Sequence, residues 1–246
     1  MEKPVIIQGA MSQEIVDLVN CMTNCREIDK EGFPFYSGRI NNIPVVVSKT
    51  YVGKINAALA TVLGIQLFEP RLIINQGTAG AHKENYRVGD IIVGKRYINY
   101  DSLRTITERK MGEGYAISNK RISGERYNGR MWEDVEEITA DERVVSLAML
   151  QENPYGKVYA GTIATGDGFN KECDAITELR NTFDTDCEEM ETFAAAQVSG
   201  HFAVPFIGVR VISNNELMGM PFDSETSSVC QEFCAHLIEN ITEAIR

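Results

Sequence analysis

Three glutamates, Glu188, Glu189 and Glu191, fall within four positions of the stretch CEEMETFAAA, Cys187 to Ala196, with Met190 inside the group. The run then turns small and apolar, as a buried helix would. Acids are favoured in the first turn of a helix, where unpaired N–H groups carry partial positive charge. A carboxylate fixed at such a place can also accept hydrogen bonds from sugar hydroxyls. A fourth acid, Glu14, lies in QGAMSQE, Gln8 to Glu14, where Gly9 permits close backbone approach. Glu14 is expected in the first turn of a helix, a common place for an acid without function.

Three further stretches carry groups of this kind. INQGTAGA, Ile74 to Ala81, ends a strand with glycines and the hydroxyl of Thr78, which can offer donors to an anion or a sugar. A tight turn without a ligand explains it equally. It is neither a GxxxxGK(S/T) phosphate loop nor a GxGxxG fingerprint. ATGDGFN, Ala164 to Asn170, sets Phe169 beside glycines, leaving an aromatic face for a planar ring or simply a core anchor. RVISNNE, Arg210 to Glu216, places Ser213, Asn214, Asn215 and Glu216 just beyond a buried strand, where the crevice of an open α/β sheet lies, or where a hydrogen-bonded turn forms.

The elements that must position these groups are short β-branched runs: Val5–Ile7, Ile43–Val47, Leu72–Ile74, Asp90–Val93, Val158–Ile163 and Phe206–Val211. Strands buried on both faces read this way. Helices are predicted over Ser12–Met22, Lys54–Leu67, Val144–Leu150, Met190–Val198 and Cys230–Ile245. Alternating strands and helices predict an α/β sandwich around a central sheet. Pro and Gly are scattered rather than pooled into a linker, so residues 1–246 are read as one domain. The stretch from Ser102 to Gly129 is polar and glycine-punctuated, a long connection of the kind that covers sites or forms mobile loops.

Composition excludes several classes. The 246 residues are 43% hydrophobic, enough for a sizeable core, and the formal net charge is −11. A general nucleic-acid binder would instead recruit Lys and Arg to replace counterions. The cations Arg104, Arg109, Lys110, Lys120, Arg121, Arg126 and Arg130 are read as a solvated excursion. Six cysteines are present, and Cys21/Cys25 and Cys230/Cys234 have a spacing that would align thiols on a helix face. With no CxxC and three histidines, His82, His201 and His236, buried free thiols are favoured over a metal site. No leader pattern and no apolar run of membrane-spanning length is seen, so a soluble cytoplasmic protein is expected.

In order and spacing, the four strand ends resemble the nucleoside phosphorylase and nucleosidase superfamily, with the nearest likeness to bacterial 5′-methylthioadenosine/S-adenosylhomocysteine nucleosidases. GAMSQE is similar to that family's opening motif, YVGKINAALAT to its G-K-x-x-A-A helix, and INQGTAGAHKENYRVGDIIVG to its N-x-G-(S/T)-A-G turn and following V-G-D strand. ATGDGF and EEMET resemble its S-G-D-x-F and E-M-E segments. The likeness spans about residues 4 to 245 and is weakest across 102–157. It implies a three-layer α/β/α sandwich with a central mixed sheet, like purine nucleoside phosphorylase, that cleaves the N-glycosidic bond of a purine nucleoside through an oxocarbenium-like transition state.

Phosphorolysis needs clamps for phosphate, and the family's hexameric phosphorylases carry one arginine after the first glycine loop and another before the glycine-serine turn. GAMSQE and INQG carry none, and an acid there repels an anion, so water is the expected nucleophile. The resemblance implies that Glu14 is the general base and that Glu191 holds the ribose hydroxyls. It further implies that Met190 packs on the sugar, that Glu189 binds sugar or polarises its surroundings, and that Thr78 sits near the ribose or nucleophile. Phe169 stacks on the purine, the backbone of Asn170 reads its edge, and Glu188 is a solvated cap. Asn214 departs from the family, which places aspartate there to help protonate purine N7; an amide donates a hydrogen bond but supplies no proton. Either the base has changed to a 6-oxopurine, as in inosine- or futalosine-like nucleosides, or catalysis has weakened and Glu216 or Asp223 substitutes. A phosphorylase and a non-catalytic binding or storage protein remain as alternatives. No metal or cofactor is implied; a homodimer is, with 102–130 a candidate closing surface.

Overall fold

The computed structural model describes residues 2–105, 115–117, 120–123, 131–134 and 137–244; within 103–136 and beyond 241 the description is of backbone alone. The chain opens with β1 (Val5–Gly9), a 3-10 turn (Ser12–Glu14) and α1 (Val16–Asn20). A meander of β2 (Thr23–Lys30), β3 (Phe33–Ile40) and β4 (Ile43–Lys49) leads to α2 (Lys54–Phe68), β5 (Leu72–Ala81) and β6 (Ile91–Asn99). Short strands follow: β7 (Leu103–Thr105), β8 (Tyr115–Ile117), β9 (Lys120–Ser123), β10 (Met131–Asp134) and β11 (Ile138–Thr139). The remainder is α3 (Glu142–Met149), β12 (Val158–Thr165), α4 (Cys173–Phe183), β13 (Cys187–Glu189), α5 (Thr192–His201), β14 (Phe206–Asn214), a 3-10 turn (Glu216–Met218) and α6 (Thr226–Ala244).

The central sheet is mixed. Its order is β11-β6-β12-β13-β5-β1-β4-β3-β2, and β14 pairs with both β5 and β6. The pairings β5–β14, β14–β6, β6–β12, β12–β13 and β13–β5 therefore close a ring at one end of the sheet. Alternate residues of a strand face opposite sides, and the core divides accordingly. Val5, Ile7, Val45, Val47, Ile74 and Val209 pack with Leu18 of α1, Val144 of α3 and Leu237 of α6. Ile6, Val46, Ile73 and Ile92 pack on the other side with Ile65 of α2 and Phe193 of α5. The result is the expected three-layer sandwich.

Local expectations needed correction. The helix read over Ser12–Met22 is split into a 3-10 turn and a short α1, because the Glu14 carboxylate folds back onto the N–H groups of Ala10 and Met11. Cys25 lies on β2, so Cys21 and Cys25 share no helix face. Cys187, Cys230 and Cys234 are buried free thiols, whereas Cys21, Cys25 and Cys173 are exposed. The helix read from Met190 begins at Thr192, after the three-residue β13.

Candidate functional site

Glu14 is held at the end of β1 by four donors. Its Oε2 accepts from Ala10 N at 2.9 Å and Met11 N at 3.1 Å, and its Oε1 from Thr78 N at 2.9 Å and Thr78 Oγ1 at 3.1 Å. The side chain of Gln76 donates to the Glu14 carbonyl at 2.5 Å. Glycine is required at 77, because a Cβ there would lie 2.7 Å from Glu14 Oε1. The carboxylate is thus fixed between the first turn and the end of β5, and Glu14 is 3% exposed.

The acids of the CEEMET stretch separate by strand periodicity. Glu189 turns to Arg210: Arg210 Nη2 lies 2.5 Å from Glu189 Oε2, Thr165 Oγ1 donates to Oε1 at 2.5 Å, and the N–H groups of Glu191 and Thr192 donate to Oε2 at 2.9 and 2.8 Å. Burial works against its charge, but Arg210 and these donors prevail and hold the Glu189 carboxyl below its ordinary pKa. Arg210 in turn donates to Asn75 O and Oδ1 and to Val209 O. Of the two roles expected for Glu189, this geometry fits polarising and positioning; its lone pairs are committed to protein donors.

Glu191 stands at the start of α5 and accepts from Gly53 N at 2.8 Å, the residue that precedes α2. One carboxylate therefore ties two helix N-termini together. Burial, then the charge of Glu189, and more weakly that of Glu14, push its pKa up to about 8, against the pull of Arg210 and the Gly53 N–H. Glu14 and Glu191 are thus within electrostatic reach of each other, although they lie 177 positions apart in the chain. Met190, between Glu189 and Glu191 in the motif, is half-buried.

Glu188 overturns the expectation of a solvated cap. It is 7% exposed, and its Oε1 and Oε2 accept from Asn170 N at 3.0 Å and Asn170 Nδ2 at 2.7 Å. His82, fully buried, contacts Thr185 Oγ1 through Nδ1 at 2.7 Å. Its Nε2 lies 3.3 Å from Glu188 Oε2, at ion-pair distance, yet without hydrogen-bond alignment. The backbone N–H of Asn170, expected to read a purine edge, is therefore engaged by Glu188. Tyr100 OH also accepts from Asn170 Nδ2 at 3.3 Å. Phe169 stays 53% exposed, with Lys171 Nζ 5.5 Å from its ring centre. The signal that sequence reading missed is the period of two: in a strand, Glu188 and Glu189 must face opposite sides.

Asn214 ends β14 after an irregularity between Ile212 and Asn214 that shifts its register against β5. Its Oδ1 accepts from Ser213 Oγ at 3.1 Å and its Nδ2 donates to Glu216 Oε1 at 3.2 Å. Glu216 is thus in contact with Asn214, whereas Asp223 accepts from Glu225 N next to α6. Asn215 is turned away, donating to the carbonyls of Lys83 and Tyr86.

Among the described residues, no group of three or more His, Cys, Asp or Glu side chains is arranged to hold a metal ion, and no helix is long and apolar enough to cross a membrane. A cleft of about 410 Å³ lies elsewhere, lined by Arg96, Ile98, Glu137 and Phe183. Arg96 there is already engaged with Thr162, Glu137 and the Phe183 carbonyl.

The phosphorylase superfamily profile matches residues 4–246. The 5′-methylthioadenosine/S-adenosylhomocysteine nucleosidase of Haemophilus ducreyi is 34% identical over 216 residues, covering 87% of this chain and 86% of the relative. That of an Exiguobacterium species is 31% identical and covers 91% of both. Among solved structures, the nucleosidase of Neisseria meningitidis in complex with methylthio-immucillin-A superposes with a TM-score of 0.79 at 25% identity, over 96% of this chain and 99% of that one. The fold is also that of Helicobacter pylori futalosine hydrolase, with a TM-score of 0.77 at 22% identity over 96% and 97% of the two chains. The chain belongs to the phosphorylase superfamily and, within it, to the family of 5′-methylthioadenosine/S-adenosylhomocysteine nucleosidases.

Proposed function

We propose that the protein hydrolyses the N-glycosidic bond of a purine nucleoside of the methylthioadenosine/adenosylhomocysteine type, with water as nucleophile, and releases the base. The observation that carries this reading is the pair of buried acids, Glu14 and Glu191, distant in the chain yet within electrostatic reach, the Glu14 charge adding to burial and to Glu189 in disfavouring the charge of Glu191. Such a pair is costly unless a cation arises between them, and a ribosyl oxocarbenium is one. Glu14 is the general base. The Thr78 hydroxyl, the rotatable donor among its four, turns aside to admit the water. Glu191 accepts the ribose hydroxyls, Met190 packs on the sugar, and Phe169 stacks on the base beside Asn170. Asn214 donates to the departing purine. Glu189, neutralised by Arg210, fixes the N–H groups at the start of α5 directly. The buried acids Glu14 and Glu188, neither paired with a cation at hydrogen-bond geometry among the described residues, and the absence of arginine from Gly9–Glu14 and Ile74–Gly77 argue against a phosphate site.

The test is purine release with and without phosphate. Release in phosphate-free buffer supports hydrolysis; release only with phosphate means phosphorolysis, and binding without release means a non-catalytic protein. Glu14→Gln is expected to keep nucleoside binding and lose turnover by about 10²–10⁴-fold; full activity in this variant refutes the assignment of the base. A second reading, a 6-oxopurine nucleoside as substrate, is favoured by the amide of Asn214. A homodimer is supported by an apolar stripe beside the site: Val52, Ile55 and Leu59 are exposed by 45%, 76% and 49% along the start of α2. The 102–130 segment, the other candidate surface, has its side chains from 103 onward outside the described residues.

A further inference from the structure

Gln8 and Asn75 take no part in the hydrolysis above, yet both are buried amides in the middle of the sheet. They are opposed in register on β1 and β5, and residues so opposed project to one face. Ile6 and Ile73, two positions earlier on each strand, pack with Ile65 of α2 and Phe193 of α5. The period of two therefore puts Gln8 and Asn75 on that side as well. Arg210 of β14 reaches the same side, two residues on from Gly208, which opposes Asn75. Gly208 leaves the space open: a Cβ there would lie 2.7 Å from Thr192 Cγ2.

A buried amide is costly unless its donors and acceptors are used. Asn75 meets Arg210 with both of its oxygens: Nη1 donates to O at 2.9 Å and Nη2 to Oδ1 at 2.5 Å. A guanidinium only donates, so this contact fixes which end of the Asn75 side chain faces Arg210. Nδ2 then donates to Gln8 Oε1 at 3.3 Å, and Gln8 Nε2 donates to Thr61 Oγ1 on α2 at 3.0 Å. Thr192, the first residue of α5, adds its hydroxyl to Asn75 Oδ1 at 3.4 Å. The remaining Nη hydrogens of Arg210 go to the Val209 carbonyl and to Glu189 Oε2. Every Nη hydrogen is thereby allocated, and none goes to Glu191. Among the described residues Glu191 accepts from Gly53 N alone. The charges that reach it act through space: Glu189 from β13, Glu14 from the first turn and, with the opposite sign, Arg210 from β14.

We propose that Asn75 is a positioning residue of the sugar site: it grips both terminal nitrogens of Arg210 and holds the guanidinium on Glu189, which keeps this cation from pairing with Glu191 and leaves that carboxyl open to ribose hydroxyls. The sugar part rests on the N-glycosidase reading; the placement of Arg210 does not. Leucine at position 75 would fill a similar space without the acceptor. One Nη2 hydrogen would then be left unpaired in a buried place, and pairing with the Glu191 carboxyl satisfies it with a charge-assisted bond.

The test introduces Glu191→Gln into two backgrounds, wild type and Asn75→Leu, and follows urea unfolding from pH 5 to 9. With Asn75 present, the stability gap between Glu191 and Glu191→Gln widens as pH rises, because the buried carboxyl loses its proton with no cation paired to it. In Asn75→Leu, Arg210 pairs with Glu191 and the gap no longer changes with pH. Each gap is taken within one background, so a general loss of stability from the leucine cancels. Asn75→Asp keeps an acceptor for Arg210 and restores the widening gap. Asn75→Ser, whose side chain is too short to reach Arg210, replaces Asn75→Leu if the leucine variant fails to fold. Binding is measured with adenosine and inosine against their 2′-deoxy forms. The wild type is expected to prefer the ribonucleoside by about 10–100-fold in Kd, as for a hydrogen bond to a charged group, and Asn75→Leu by about 1–3-fold. The same pH dependence of the gap in both backgrounds overturns the proposal and leaves Asn75 a structural amide. So does an Asn75→Asp variant that behaves like Asn75→Leu, and an undiminished ribose preference in Asn75→Leu overturns the sugar role. A gap that loses its pH dependence in Asn75→Leu, in a protein that binds no nucleoside, upholds the placement of Arg210 and removes the nucleosidase reading instead.

Discussion

Glu191→Gln should make the protein more stable in alkaline solution, by an amount that follows from the burial of this one carboxyl. In the folded chain its pKa is pushed up from 4.5 to about 8, by burial first and then by the charge of Glu189. A raised carboxyl pKa means that the folded state holds a proton which the unfolded state has released. Stability from this group is full below pH 4.5 and is lost as pH rises through about 8. Between those limits the loss is about 1.4 kcal/mol per pH unit, and across the whole window about 5 kcal/mol. Glutamine keeps the shape and the acceptor for Gly53 N but has nothing to ionise. Glu189 does not confuse the comparison: its folded pKa is depressed, so its contribution is present above its unfolded value and fades only in more acid solution. Urea unfolding of both proteins at half-unit steps from pH 5 to 9 should give a difference that grows in favour of the variant up to about pH 8 and then levels. Two parallel stability curves would show that Glu191 is ionised in the folded protein at neutral pH, and the account of a carboxyl held protonated by burial and by the charge of Glu189 would fail.

Binding of a nucleoside at pH 7 should release close to one proton, because ribose hydroxyls and a developing cation both favour ionised Glu191; calorimetry in buffers of different ionisation enthalpy measures it, and Glu191→Gln should abolish it. Arg210→Met should cost about 3–5 kcal/mol in urea unfolding at pH 7, since Glu189 is left charged, buried and without its partner. Gly94→Ala should cost about 1–3 kcal/mol by overpacking, because a Cβ there meets Tyr97 Cε1 at 2.4 Å and Ile163 Cδ1 at 2.8 Å inside the ring of strands.

The sandwich was legible because its strands are buried on both faces. Leu72–Ile74 and Phe206–Val211 are near-continuous apolar runs, and nothing but a sheet covered on two sides accounts for several of them. What escaped was either exposed or determined by tertiary contacts. β2 reads TNCREIDK and lies almost wholly in solvent, so no apolar alternation marks it. α4 buries Ile176 alone and carried too weak a stripe. The split of the first helix depends on where the Glu14 side chain goes, and that depends on Thr78, which sequence distance hides. The strand ends pointed to one neighbourhood, where Glu14 meets Thr78, Glu189 fixes the start of α5 at Glu191, and Asn214 pairs beside Gly80. The direction of each carboxylate was not legible, because direction is set by partners on other strands.

Neighbouring acids on one strand show what this means for chemistry. Glu188 and Glu189 are adjacent and equally buried, yet one meets Arg210 and the other meets amide donors. Full neutralisation by a buried cation makes Glu189 part of the scaffold, holding the N–H groups at the start of α5 and through them the place of Glu191. Among the described residues, Glu188 has no cation at hydrogen-bond geometry, and with Glu14 and, once a ligand draws off its proton, Glu191 it leaves the site acidic. An anion entering such a place works against every one of these charges, whereas a cation formed there is stabilised by all of them. The same imbalance that disfavours phosphate therefore favours the charge that grows on a ribose as its base departs. Placing a second cation in the site, as in Glu188→Lys, should depress turnover even with Glu14 intact, and should do so by lowering kcat more than by raising KM, because the penalty falls on the transition state.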